Sequence, residues 1–513
     1  MKEMRKSLVH LAVAGGLIAL SSASGVASAA DVQRCDGSGT GQALIYPYYT
    51  VNNNWTTTFD VINTSDKALA VKVRFHEAKN SRDVLDFVVV MSPYDEWTAW
   101  VQQSETGGTQ LYTNDKSCTS PLNVNGAEAS PIAYTGEFFD GGGVGKGRLR
   151  EGYVEVLVMG VAEKTSGDFL DPDFDEGTVP YNALHVDGVP RDCAAVDNAF
   201  VATADQWIPL TDPLDYFGTT DDSMGGSGDP EARDDFMAPP LGFNPLKGNV
   251  AWLHGLTGVG AGSEAIAVCD WSDQNYVTAQ QFPWFLEPTF ASGDGLWTVT
   301  GVEAFDEAVS STSTFNGWAN NPANGAATDW VITFPTKGYH VDRFNGQIQA
   351  AVSRYRNGNS TISNTEPAPG LAPFENLFNG GNALVTTTGN SVITVEYTFF
   401  DREEGNVVRE ADGTTISPAP PPEILIETLK YEANVLQFGG EPVLDSPLAS
   451  VVDAGADLNA KNGWAKVRFV KALKTGLPVT AFSIKERTRG EVNTAYGQAM
   501  NNGYERAILD TME

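Results

Sequence analysis

Short segments in which apolar and polar residues alternate recur along the whole chain, and Gly, Asn, Asp and Pro bound them. In TTTFDVINTSDKALAVKVRF (56–75), two such runs flank a turn-forming NTSD, and Val71, Val73 and Phe75 would share one face of the second strand. SVITVEYTFF (391–400) shows the same period of two, and long amphipathic helical patterns are scarce. Because side chains alternate between the two faces of a strand, this pattern predicts a mostly β protein built of antiparallel sandwiches.

The length of the chain, 513 residues, is too great for one ordinary domain. We expect two or more sandwich domains. The first would be an immunoglobulin-like β-sandwich over residues 30–125, because consecutive strand patterns with short turns fill this segment. An acidic, disulfide-containing β region would follow over 126–290, and a C-terminal β domain with a basic tail over 291–513.

The segment VRFHEAKNSRDVLDF (73–87) is dense in charged residues. It has the pattern of a strand, a turn and a returning strand. His76 and Glu77 are adjacent, so they would point to opposite faces and could not hold one metal ion together. We interpret these charges as a solvated outer face of the sheet.

The first 29 residues have the three parts of a secretory signal peptide (1–29). Lys2, Arg5 and Lys6 form a basic start, an apolar run of about a dozen residues follows, and ASA (27–29) offers small residues for cleavage. The apolar run is too short to span a bilayer, and we expect no membrane span in the mature chain. The sequence predicts export to the cell surface or the extracellular medium, with the periplasm as the alternative.

The cysteines are four, an even number for an exported chain: Cys35, Cys118, Cys193 and Cys269. They predict two disulfides, for which three connectivities are possible. We favour Cys35–Cys118 with Cys193–Cys269. A zinc site is the alternative, but the chain has no CxxC pair.

The segment DPDFDEG (171–177) is the best candidate for a metal site. Asp171, Asp173 and Asp175 alternate and Glu176 follows, and carboxylate oxygens at such spacing suit Ca²⁺. The glycine comes one place too late for an EF-hand loop, so an ordinary solvated acidic loop is the alternative. Calcium is the one candidate cofactor.

Catalytic and cofactor-binding motifs are not found in the sequence. GGGVGKG (141–147) lacks the first glycine and the final Ser or Thr of a phosphate-binding loop, and G-x-S-x-G does not occur. Eleven tryptophans could form a sugar-binding platform, and the carboxylates of DREEG (401–405) could then serve glycoside hydrolysis. We lean towards a protein that is not an enzyme.

Four segments carry a resemblance: ALIYPYYTV (43–51), TDWVITFPTK (328–337), YTFFDREEG (397–405) and GLPVTAFSIKE (476–486). In these stretches the chain resembles exported proteins of Gram-negative bacteria that have no assigned function. The resemblance implies export and a shared fold, and it implies no activity.

The formal net charge of −32 disfavours nucleic acid and anionic lipid as partners. Residues 164–240 carry 17 Asp and Glu against 3 Lys and Arg, whereas 461–513 carry 9 Lys and Arg against 5 Asp and Glu. Complementary charge of this kind could join copies head to tail. We therefore expect an exported, non-enzymatic cell-surface or matrix protein that acts through self-association or adhesion, with calcium as a candidate requirement. A carbohydrate-binding or carbohydrate-active secreted protein is the alternative.

Overall fold

A computed structural model describes the chain outside several gaps. The ranges described, apart from single residues within some of them, are 33–35, 39–136, 139–164, 174–200, 235–271, 276–277, 290–291, 305–341, 373–378, 389–400, 425–439, 442–452, 461–470, 476–489 and 494–505. The signal peptide expected at 1–29 lies outside the described residues.

The first part of the chain contains two short helices, α1 (Val179–Ala183) and α2 (Cys193–Phe200), among its strands. Short segments of 3₁₀ helix also occur, among them Asn52–Asn54, Pro131–Tyr134 and Lys146–Arg150. The strands are β1 (Gln33–Arg34), β2 (Ala43–Thr50), β3 (Trp55–Asn63), β4 (Ala68–Glu77), β5 (Asp83–Met91), β6 (Glu96–Gln103), β7 (Thr109–Tyr112), β8 (Cys118–Ser120), β9 (Glu151–Ala162), β10 (His185–Val186), β11 (Val189–Pro190), β12 (Leu246–His254), β13 (Gly260–Glu264), β14 (Ile266–Cys269), β15 (Tyr276–Val277) and β16 (Phe290–Ala291).

Two of the sheets in this part form the first sandwich. Sheet I has seven strands in the order β1-β14-β2-β9-β4-β5-β8, and sheet II has five in the order β13-β12-β3-β6-β7. Alternate residues of both sheets meet in one apolar core, which includes Val73 and Phe75 of sheet I and Phe59 and Trp97 of sheet II. Residue 125, where we expected the first domain to end, lies between strands of the same two sheets, because β9, β12, β13 and β14 all follow it.

The second part of the chain contains the α-helix α3 (Lys337–Val341), and residues 305–306 and 308–309 are also helical. Its strands are β17 (Ser310–Ser311), β18 (Ser313–Ala319), β19 (Ala326–Thr333), β20 (Ile393–Phe400), β21 (Leu425–Leu429), β22 (Ala433–Phe438), β23 (Ser450–Val452), β24 (Asn462–Phe469), β25 (Leu477–Pro478), β26 (Thr480–Arg489), β27 (Thr494–Asn501) and β28 (Gly503–Glu505). Sheet III has the order β21-β20-β24-β18-β28, and sheet IV has the order β23-β22-β19-β26-β27. They enclose a second core around Trp318, Trp330 and Phe438.

The prediction of a mostly β protein with antiparallel, sandwich-like domains is confirmed. All strand pairs of the four large sheets are antiparallel except β22 with β23. The immunoglobulin-like detail is not confirmed. The first sandwich divides its strands seven and five, whereas an immunoglobulin domain distributes seven to nine strands over its two sheets.

The two sandwiches pack against each other through an apolar contact centred on Phe482 of sheet IV. Its ring stacks on Trp252 of sheet II at a centroid distance of 4.5 Å. The ring centroid of Tyr48 in sheet I lies 6.4 Å from that of Phe482. Thr333 Oγ1 donates a hydrogen bond of 2.6 Å to the carbonyl of Pro47. Pro47 lies where the register between β2 and β9 shifts, a position in a strand that tolerates proline.

The outer face of sheet I is covered rather than solvated. Residues of α1 and α2 together with Trp271 and Phe305 form a second apolar layer over it. Lys72 and His76 project from this face and are buried. Lys72 pairs there with Asp86, and His76 pairs with Glu155. The interpretation of these charges as a solvated face is therefore wrong, because segments distant in sequence supply the covering layer.

All four cysteines form disulfides, as expected, but the favoured pairing is wrong. The bonds are Cys35–Cys269 and Cys118–Cys193. Cys35 follows β1, which pairs with β14, and β14 ends at Cys269. Cys118 begins β8, against which α2 packs, and Cys193 begins α2.

This pairing gives a direct prediction for the purified protein. Peptide mapping without reduction should recover one peptide that joins Cys35 to Cys269 and another that joins Cys118 to Cys193. Thiol titration of the denatured, unreduced protein should detect no free thiol. Recovery of a Cys35–Cys118 peptide would contradict the strand order of sheet I.

Within the described part of the chain, no helix combines the length and the apolar composition that a membrane-spanning helix requires.

Candidate functional site

The residues predicted to bind calcium are only partly described. Asp171 and Asp173 lie outside the described residues, whereas Asp175 and Glu176 lie in the turn that precedes α1. The described residues contain no group of three or more acidic, His or Cys side chains arranged to hold a metal ion. Calcium binding at 171–177 therefore stays a prediction. The carboxylates of DREEG (401–405) also lie outside the described residues.

A buried ionic network centred on Arg148 flanks the glycine-rich loop at 141–147. The Arg148 Nε and Nη2 donate to the two carboxylate oxygens of Glu77 at 2.6 and 2.7 Å. Its Nη1 and Nη2 donate to the two oxygens of Asp140 at 2.7 and 2.6 Å. Burial alone would raise the pKa of Asp140, but the hydrogen bonds from Arg148 lower it. The guanidinium also lies 4.3 Å from the Tyr134 ring centroid.

This network fixes the turn between β4 and β5. The Glu77 carboxylate accepts hydrogen bonds from the backbone N–H groups of Lys79 and Asn80 at 2.8 and 2.9 Å. His76 lies on the opposite face and does not belong to this network. Its Nε2 atom lies 3.1 Å from Glu155 Oε2. Burial opposes the charged imidazolium, but the Glu155 carboxylate outweighs this and raises the pKa of His76. The prediction that His76 and Glu77 point to opposite faces agrees with these contacts.

A second buried polar cluster joins the two sandwiches. Tyr153 Oη donates to the carbonyl of Pro335 at 2.5 Å and lies 2.9 Å from Ser81 Oγ. Nearby, Lys337 Nζ donates to the carbonyl of Ser391 at 2.7 Å. Burial raises the pKa of Glu432 to about 8, a rise that the Lys337 ammonium limits. These groups are buried in the junction between the sandwiches, so we assign them to its stability.

The outer face of sheet II, in contrast, is open and presents a row of side chains across its strands. The buried alternate residues of β3, β6 and β12 face the core, so their neighbours in sequence face outwards. The strand register places five outward residues side by side, namely Tyr112, Trp100, Thr58, Ala251 and Gly262. Five strands about 4.8 Å apart give this row a length of about 19 Å.

The two aromatic residues stand at one end of this row. The rings of Trp100 and Tyr112 stack at a centroid distance of 5.7 Å and an angle of 16°. Beyond them the side chains become small, from Thr58 to Ala251 to Gly262, so the face is hollow. The result is a trough with a volume of about 610 Å³, which we call the sheet II trough.

A second row, parallel to the first, lines the trough with polar groups. It consists of Thr98, Asp60, Asn249 and Glu264 in neighbouring strands. Asp60 accepts hydrogen bonds of 3.0 Å from the backbone N–H and the side-chain amide of Asn249, which fixes both side chains. Glu264 pairs with Lys247 at 3.1 Å on the exposed rim. The trough thus combines a flat aromatic surface with oriented hydrogen-bonding groups.

The sequence predicted a tryptophan platform without locating it. The alternation in EWTAWVQQ (96–103) places Trp97 and Trp100 on opposite faces, with Trp97 in the core and Trp100 outside. That signal could have nominated Trp100. Asp60 and Asn249 have no such signal, because their proximity depends on the pairing of β3 with β12 across 189 residues.

No family model, curated protein or solved structure matches this chain. The candidate site therefore rests on the geometry of the trough alone.

Proposed function

We propose that this is an exported, non-enzymatic glycan-binding protein that acts in adhesion at the cell surface or in the extracellular matrix, and that the sheet II trough holds the glycan. The observation that carries the proposal is the row that begins with stacked Trp100 and Tyr112 and continues over small side chains. The apolar face of a sugar ring packs on a flat aromatic side chain, and its hydroxyl groups need hydrogen-bonding partners beside it. Thr98, Asp60 and Asn249 are placed to supply them.

The shape of the site favours a chain over a single sugar. A row of about 19 Å crosses the whole of sheet II and could contact several linked sugar rings. Export is supported by the two disulfides, because such bonds persist in oxidising compartments. Calcium at 171–177 remains a candidate requirement for adhesion.

Self-association through the basic tail has less support. Two of the basic residues that could meet the acidic segment of another copy already have partners in their own chain. Lys466 pairs with Glu505, and Arg468 pairs with Glu396. Both pairs lie within the second sandwich, so these charges are already compensated inside one chain. We therefore place glycan binding ahead of head-to-tail assembly.

The test is the substitution Trp100→Ala. Binding of neutral linear hexasaccharides, such as a β-1,4-glucan, a β-1,3-glucan and an α-1,4-glucan, is measured by isothermal titration calorimetry. We expect at least one of them to bind, and Trp100→Ala to weaken that binding by about 30-fold, since a central aromatic contact contributes about 2 kcal/mol or more. The melting temperature should change little because Trp100 is only partly buried.

The matched control is Trp464→Ala. Trp464 is also an exposed tryptophan stacked on another ring, Phe400, at 4.0 Å, but it lies on sheet III. Its loss should leave hexasaccharide binding unchanged. If no hexasaccharide binds the native protein, or if both variants bind equally well, the trough is not a glycan site.

A further inference from the structure

The open end of the second sandwich contains a cavity of about 500 Å³ between sheets III and IV. Trp318 of β18 and Asn462 of β24 line it from sheet III, and Lys485, Arg487 and Gln498 line it from sheet IV. We call this the sheet III–IV cavity. It is lined on both sides by residues that can donate hydrogen bonds to an anion.

The direction of the basic side chains follows from the alternation along β26. Phe482 and Ile484 face the first sandwich, where they join its core. The residues between and after them therefore face sheet III, and Ser483 Oγ donates to the carbonyl of Gly317 there at 3.4 Å. Lys485 and Arg487 continue this row towards the open end of the cavity.

Gly317 makes room for the ammonium group of Lys485. A Cβ atom on Gly317 would lie 2.8 Å from Lys485 Nζ, so a side chain at position 317 would push the ammonium away. Lys461 adds a third cation at the rim. Glu486 is the one carboxylate among the lining residues described, and alternation directs it to the opposite face of β26, where His254 interacts with it.

The charges of the cavity are unusual for such an acidic chain. The chain has 65 acidic against 33 basic residues, yet in the described structure no ion pair joins Lys461 or Arg487 to a carboxylate. On the outer face of sheet III, Lys466 and Arg468 both have carboxylate partners.

We propose that the sheet III–IV cavity binds a small organic anion of about the size of an acidic monosaccharide, with Lys485 and Arg487 holding its carboxylate or sulfate group. Charge-assisted hydrogen bonds from an arginine suit a planar carboxylate. Trp318 contributes an apolar wall of the cavity. The proposal does not depend on glycan binding, because the trough lies on the other sandwich and shares no residue with this cavity.

The probe is sodium glucuronate, with glucose as its neutral counterpart, titrated calorimetrically into the full-length mature protein in a buffer free of phosphate and sulfate. We expect glucuronate to bind and glucose not to bind. Arg487→Ala should weaken glucuronate binding by about tenfold or more, as expected for loss of a charge-assisted hydrogen bond. Lys461→Ala should weaken glucuronate binding less, because Lys461 lies at the rim of the cavity. Both residues are exposed, so both variants should fold.

The control is Lys466→Ala, which removes a cation from the outer face of the same sandwich. It should leave glucuronate affinity within about twofold of the native value, because a distant exposed charge is screened by salt. Equal loss in Lys466→Ala and Arg487→Ala would show general charge attraction and overturn the proposal. Equal affinity for glucose and glucuronate would overturn it as well. Trp100→Ala should not change glucuronate binding, so failure of the trough and failure of this cavity can be told apart.

Discussion

Replacing Arg148 by methionine should lower the free energy of unfolding by about 3–5 kcal/mol, the range found when one partner of a buried ion pair is removed. Arg148 forms two paired hydrogen bonds with Glu77 and two with Asp140, and all three side chains are buried. The substitution would remove the nearest cation from both carboxylates, and Asp140 would keep the Arg82 guanidinium at 3.6 Å. Urea unfolding followed by circular dichroism at pH 7 measures the loss.

The control for this prediction is Lys146→Met. Lys146 is partly exposed and pairs with Glu128 at 3.2 Å. Its loss should cost less than about 1 kcal/mol, as for other surface ion pairs. The double variant Arg148→Met, Glu77→Gln should recover part of the loss, because position 77 then carries no charge and Asp140 keeps the buried Arg82 guanidinium at 3.6 Å. A loss below about 1 kcal/mol for Arg148→Met alone would mean that solvent reaches the network.

The strands around this network could be predicted from the sequence, whereas the burial of its charges could not. Alternation in 56–75 and the turn after Glu77 identify β3, β4 and the start of β5. Alternation shows that two faces differ, but it does not show what covers each face. The layer over the outer face of sheet I comes from α1, α2 and residues near Phe305, which are more than 100 residues away from β4 in sequence.

The disulfides and the trough illustrate the same dependence on distant pairing. An even number of cysteines predicts two bonds, but the choice among three connectivities requires knowing that β1 lies beside β14. In the trough, each strand shows its own outward residues, and only the register of β3 with β6 and β12 places Trp100, Thr58 and Ala251 in one row. Register over such distances has no local signal, because every strand could pair with any other of matching pattern.

The junction between the sandwiches should make stability depend on pH through Glu432 and Lys337. Burial raises the pKa of Glu432 to about 8, against 4.5 for an ordinary glutamate, and the nearby Lys337 ammonium limits this rise. Between these pH values the folded chain keeps a proton that the unfolded chain has released. The free energy of unfolding therefore falls as the pH rises from about 4.5 to about 8.

Lys337 acts at higher pH and in the opposite direction. Burial lowers its pKa from 10.5 to about 8, although Glu432 opposes the change. Between about 8 and 10.5 the folded chain has lost a proton that the unfolded chain keeps, so its contribution to stability rises with pH. Together the two groups should place a minimum of stability near pH 8. Asp329, whose pKa burial raises to about 7, adds to the fall on the acidic side.

The substitution Glu432→Gln isolates the contribution of Glu432, because an amide resembles the protonated carboxyl and does not titrate. Near pH 5 the variant and the native protein should be similarly stable, whereas near pH 8.5 the variant should be more stable by up to about 5 kcal/mol, since each unit of pKa shift corresponds to about 1.4 kcal/mol. Urea unfolding at half-unit pH intervals measures the difference, and Glu427→Gln, at an exposed position on β21, is the control that should follow the native curve. Asp329 and His76 titrate in both proteins, so their effects cancel in the comparison. If the native and Glu432→Gln curves stay parallel from pH 5 to pH 8.5, the carboxyl of Glu432 is solvated in the folded protein and the junction does not hold its proton.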